Sequence, residues 1–254
     1  MQQSGMYHPE LMDESLDYDD VDDCGNPSVS QYQPLTTVDR DFQVEHIIDG
    51  HLIADFIQDA SRGVLRSGAT ATTGPVSVSY FVQARTQPVL QNAPPLTGVG
   101  DPNDDSSLKN VYGRIMETVG SRKNDVYFVG LVVNIHRYKT IMLKNKDPMS
   151  PAKVLLRITS GSVDDAAEVL GAIRGTIAAM IYLNRQNTPN VKGNLAHVAN
   201  NIRAQWLHSQ TLYNAANPNA PTSVAQFWSK WIKDIFGTGS SQNTGIGVRP
   251  LLLS

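Results

Sequence analysis

The sequence predicts a mainly α protein, a bundle of about five helices with a short β segment, preceded by a disordered acidic N-terminal tail. Three observations predict it. Apolar residues recur at helical spacing from Ile48 onward, and stretches rich in Pro, Gly and Asp punctuate them. Between Glu10 and Asp23 there are eight acids, while the first basic residue is Arg40. An acid block of that kind repels itself and buries little. Residues 1–38 are therefore expected as a disordered tail, 39–236 as a mostly helical domain and 237–254 as a loose C-terminal tail.

The elements follow in chain order. Ile48, Leu52, Ile53, Phe56 and Ile57 form an apolar stripe with His51, Asp55, Gln58 and Asp59 opposite, which predicts a helix over about 43–66. The alternation from Val76 to Val82 predicts a short strand. Residues 86–106 read as loop from their Pro, Gly and Asp content. Leu108, Val111, Ile115 and Val119 give an amphipathic helix, and 124–144, apolar on most sides, a central one that Pro148 and Pro151 end. Ser162 with Asp165 has the spacing of a capping box opening the next helix. Thr188-Pro189 opens another through about Asn214, and Pro221-Thr222 a last one through Phe236.

At 254 residues the chain is long enough to bury a sizeable core. A net charge of -3 leaves no global basic field, so nothing marks a nucleic-acid coat. No run of ~18 apolar residues is evident, so no membrane span is expected. The first twenty residues show neither a basic nor an apolar signal region. The chain is accordingly expected either in the cytoplasm, if complete as given, or as a piece of a longer secreted precursor. The single Cys24 excludes an internal disulfide and a cysteine-based zinc site.

The candidate chemistry lies in VEHIIDGHLIADFI (44–57). At the ~100° per residue of a helix, Glu45, His46 and Asp49 share a side with the apolar stripe, whereas His51 and Asp55 point away. Inward-facing ionisable groups must be paired, bind a metal or sit at a helix mouth. The simplest reading is a helix start, where acids complement the dipole. The sharper one is an acid–base or divalent-metal site of Glu45, His46 and Asp49, with His136 or Arg174 as possible later-helix partners, although HExxH is absent. Without it the chain needs no cofactor. Asp17, Asp20 and Asp22 match the first three acids of the DxxDxDxE signature of family 18 chitinases, but Cys24 stands where the proton donor belongs. No GxSxG, GxGxxG, P-loop or CxxC motif occurs. Trp206, Trp228, Trp231 and Tyr213 are expected in the core, and Lys230 and Lys233 on a solvated face.

VDRDFQVEHIIDGHLIADFI (38–57) resembles the segment after the catalytic barrel of fungal killer-toxin-like chitinases, where a "VEHI-E-Q-I-F" pattern opens the C-terminal region. Glu45, His46 and Ile47 match, with Asp49 for the usual Glu and His51 for the usual Gln. Residues 120–142 and 168–206 are similar to later helices of that region. The resemblance covers 39–236 and lacks the chitinase barrel and the chitin-binding cysteines. It implies an accessory or interaction domain without glycosidase activity, in a secreted fungal toxin or effector system with a protein or glycan partner. Two other classes stand beside it, a metal-dependent hydrolase or nuclease using Glu45, His46 and Asp49, and a self-assembling structural protein. Oligomeric state is left open by the sequence.

Overall fold

Residues 15–32, 41–86, 93–96, 110–121 and 124–236 are described by a computed structural model. Among them, four short strands and eight helices divide into two units. The first comprises the chain through Glu45 together with Phe128–Lys192, and the second His46–Tyr127 and the chain from Gly193.

The first unit is built on a sheet of order β2-β1-β4-β3, formed by β1 (Leu16–Tyr18), β2 (Val29–Gln31), β3 (Phe42–Glu45) and β4 (Val129–Val132). β1 and β2 are antiparallel, β1 runs parallel to β4 at Leu16 and Leu131, and β3 is antiparallel to β4 with Glu45 opposite Val129. Every residue of β4 is buried, as the all-apolar VGLV requires. Gly130 has to be glycine because an added Cβ would strike the Ser15 side chain. α4 (Val133–Leu143) begins directly after β4 and turns Ile135, Lys139 and Leu143 inward. α5 (Pro151–Thr159) and α6 (Val163–Asn184) form a hairpin, and α6 lies on α4 through a small-residue side of Ala172, Gly175, Ala178 and Ala179. A Cβ on Gly175 would collide with the Tyr138 ring, so the glycine sets how close the two helices come.

The second unit surrounds Phe56. Its helices are α1 (Gly50–Arg62), α2 (Val78–Thr86), α3 (Val111–Val119), most of α7 (Val191–Ala216) and α8 (Val224–Phe236). The Phe56 ring lies 5.0 Å from Trp228, 5.5 Å from Trp231, 5.6 Å from Trp206 and 6.0 Å from Phe227, centroid to centroid. Edge-to-face geometry dominates, as ring quadrupoles favour. The indole N–H of Trp231 donates to Asp59 Oδ2 at 3.0 Å and that of Trp228 to the Ala199 carbonyl at 2.9 Å, so neither buried donor is wasted. Burial pushes the Tyr80 hydroxyl pKa up, and that hydroxyl meets Ser209.

Several expectations are corrected. The acidic stretch expected to be disordered over 1–38 contains β1 and β2, because Leu16 and Val29 are buried and the acids from Asp19 to Asp23 fall in the turn between the strands. The expected helix over 43–66 is strand β3, a bend and then α1, since β3 finds its partner only in distant β4. From Val78 the expected strand is helix: Tyr80, Phe81 and Ala84 face inward while Val78 and Val82 are exposed, so part of the apparent alternation was surface valine. The 124–144 stretch splits into β4 and α4, as short apolar runs read equally well as strand or helix. A further helix, α5, uses Pro151 at its first position, where no N–H is needed. The single 39–236 domain becomes two units, and eight helices replace about five. The capping expectation is met, with Ser162 accepting from the Asp165 N–H. Most of the 86–106 loop and all of 237–254 lie outside the described residues.

Replacing Phe56 by Ala is expected to cost about 3–5 kcal/mol, because the aromatic partners around it, Phe81 among them, cannot collapse into the vacated volume. Urea denaturation followed by tryptophan fluorescence measures it, and a loss under about 1 kcal/mol would contradict a core centred on this ring.

Candidate functional site

Of the sequence-predicted trio, Glu45 ends β3 and is fully buried, His46 lies in the following bend, and Asp49 is the N-cap residue of α1. The helical wheel that aligned them does not apply, because the helix starts at Gly50. Glu45 belongs to the first unit, His46 and Asp49 to the second. Asp49 Oδ2 lies 3.5 Å from His51 Nδ1, and Asp55 pairs with Arg66 at 2.7 Å.

Two side chains of α4 meet Glu45. Lys139, one full turn after Ile135 on the buried stripe, ion-pairs with Glu45 Oε1, and both side chains are 0% exposed. His136 Nε2 lies 2.9 Å from Glu45 Oε2 and is partly exposed. Burial drives the Lys139 ammonium well below its ordinary pKa, and the carboxylate opposes that shift. Lys139 thus takes up Glu45 Oε1, and Oε2 faces His136. The arrangement ties β3 to α4 and puts only the edge of an imidazole in contact with water. Lys139 was the residue missed in the sequence. Its signal was a lysine between Ile135 and Leu143 on one helical face, and such a position demands an acid.

Arg174, the other suggested partner, does not join this group. Its Nε donates to the Asn26 carbonyl at 2.8 Å, Nη1 to the Val21 carbonyl, and its guanidinium lies 4.0 Å over the Tyr18 ring. The Tyr18 pKa rises to about 12, chiefly through burial, and its hydroxyl donates to Asn134. The chitinase-like acids serve the same turn: Asp17 is buried on β1, Asp20 accepts from the N–H groups of Asp22 and Asp23, and Cys24 is exposed. Trp206, Trp228, Trp231 and Tyr213 are core residues, as expected. Two shallow depressions in the second unit, one bordered by Phe81, Arg85 and Tyr112 and the other by Arg203, Trp228 and Lys233, are lined by none of the trio.

A different surface stands out in the first unit. α5 buries no residue, and Leu155, Leu156 and Ile158 are 65%, 69% and 61% exposed. The helix turns its charges toward α6: Lys153 pairs with Glu168 at 2.7 Å, and Arg157 with Asp165 and Glu168. Hydrogen bonding from Ser160 and then the Arg157 guanidinium hold the Asp165 carboxyl low, and Lys153 does the same for Glu168. The helix holds to α6 through partly exposed ion pairs and leaves its apolar side in water. Among the described residues α6 is also the one helix long and apolar enough to cross a membrane by length and composition. Its small-residue face is spent on α4. Comparison with family models, curated proteins and solved structures found no match.

Replacing Glu45 by Leu removes the carboxylate that faces a fully buried ammonium and is expected to cost about 3–5 kcal/mol, most of it recovered in the Glu45→Leu/Lys139→Met double variant. Urea midpoints measure both, and a double variant no more stable than the single one would refute the pairing. In Glu45→Leu the folded Lys139 pKa lies below the ordinary 10.5, so the unfolded chain binds more protons and stability rises as alkaline pH approaches that value.

Proposed function

We propose that the chain is a non-catalytic interaction module, an accessory domain of a secreted fungal toxin or effector system akin to the C-terminal region of killer-toxin-like chitinases. One observation carries the interaction reading: a three-turn amphipathic helix, α5, that packs by its ion pairs and offers its leucines and isoleucine to solvent. Monomers rarely leave contiguous apolar patches uncovered, and such patches mark interaction sites. The absence of glycosidase activity rests on chemistry. Glu45 is engaged by a buried lysine, and a thiol stands where the chitinase signature requires a proton donor.

Chitin oligomers incubated with the full chain are expected to give no products above a blank. Turnover lost on Glu45→Gln, or on Asp17→Ala, would make the protein an enzyme. Titration with zinc or manganese is expected to give the same negligible heat for the wild type and His136→Ala. Binding abolished by that substitution would revive a metal centre.

A further inference from the structure

We infer that the groove between α7 and α8, within the second unit, binds a small phosphate monoester as its dianion. The groove is separate from the α5 surface and does not depend on it. The two helices run antiparallel: Asn214 meets Thr222, Gln210 meets the Ala225 N–H, and Arg203 meets Ser229. At ~100° per residue, Asn200 and Arg203 fall on one side of α7, and Ser229 and Lys233, one turn apart, on one side of α8. These four residues border a single depression of about 210 Å³, with Ala199 and Ile232 beside them. The bond from the Trp228 indole N–H to the Ala199 carbonyl, 2.9 Å, holds the helices together at this level.

The donors of this groove are oriented and unspent. Arg203 Nε donates to Ser229 Oγ at 2.8 Å, and that hydroxyl donates onward to the Ala225 carbonyl at 3.0 Å. The guanidinium plane is thereby fixed, while among the described residues its Nη donors, the Lys233 ammonium and the Asn200 amide bond to nothing. Asp234, next to Lys233 in the chain, lies ~100° further round α8 and accepts from the N–H and the hydroxyl of Ser67 at 2.7 and 2.9 Å. No carboxylate borders the depression among the described residues, so its two cations face each other's field without an acid. An anion between them removes that repulsion. A carboxylate would be satisfied by the arginine fork alone and would leave the lysine unanswered. A phosphate monoester carries close to two charges and three acceptor oxygens, enough for the fork, the ammonium and the amide together. Drug-sized ligands fill about 300–1,000 Å³, so this smaller space admits a phosphoryl group on a small body, with Ile232 as its apolar contact.

Calorimetric titration of the full chain with phenyl phosphate, at low salt and about pH 7.5 where the monoester is a dianion, tests the site. Saturable one-to-one binding in the millimolar range is expected, weakening as salt is added because the groove is open to solvent. Arg203→Gln and Lys233→Gln are each expected to weaken it by more than about tenfold. Ser229→Ala keeps both charges but releases the guanidinium, and is expected to cost about threefold. Arg85→Gln removes a cation of the same unit outside the groove and should change nothing. Phenyl sulfate, with the same three oxygens and one charge fewer, is expected to bind at least about fivefold more weakly. Near-ultraviolet circular dichroism verifies that each variant keeps its aromatic core. Heats that do not saturate up to about 10 mM overturn the site. So do equal losses from Arg85→Gln and Arg203→Gln, which would mark a diffuse field, or phenyl sulfate binding as tightly as phenyl phosphate. Flotation with phosphatidic acid vesicles that Arg203→Gln abolishes, without any binding of phenyl phosphate, would assign the groove to a membrane surface and overturn the small ligand.

Discussion

The pair Glu45–Lys139 is the constraint around which the first unit is arranged. Both groups are wholly buried, and neither tolerates that position alone. Their meeting requires β3 to lie beside β4 in the register that puts Glu45 opposite Val129, and α4 to leave β4 without a loop so that Lys139 reaches back. A slip of one residue in that register would aim the carboxylate at the other side of the sheet. The pair therefore acts as a specificity device.

Once α4 is fixed, α6 follows. Its run of Ala and Gly can only approach a neighbour closely, and Tyr138 fills the space that Gly175 leaves. Arg174 then faces the acidic turn, where it binds main-chain carbonyls and not carboxylates. The Asp side chains of that turn are free to organise their own loop, as Asp20 does with two backbone N–H groups. A segment with an unfavourable charge balance is thus held by two arginines, Arg174 and Arg185, and two short strands.

With the small-residue side of α6 consumed by α4, the larger side chains of the helix are left outward. α5 adds to them because its ion pairs with α6 fix the direction of its apolar side. Both features concern which side of a helix is packed, small residues on α6 and ion-paired side chains on α5. The second unit shows the ordinary arrangement, with Leu52, Phe56 and Ala60 of α1 and Trp228 and Trp231 of α8 all turned to a common core.

Periodicity and local punctuation were enough to locate the later helices. The Ser162 cap, the Pro-bearing turns before α7 and α8, and the burial of the three tryptophans are all readable because they depend on neighbours a few residues away. β3 and β4 were not readable as strands, since each is justified by a partner some ninety residues distant. Nor was the fate of the trio. The sequence put Glu45, His46 and Asp49 within five positions, and the strand-to-helix change between Glu45 and Gly50 gives them different backbone settings. The apolar character of α5 is local and visible in the sequence. That it faces water is a tertiary outcome, because it depends on where Asp165 and Glu168 come to rest.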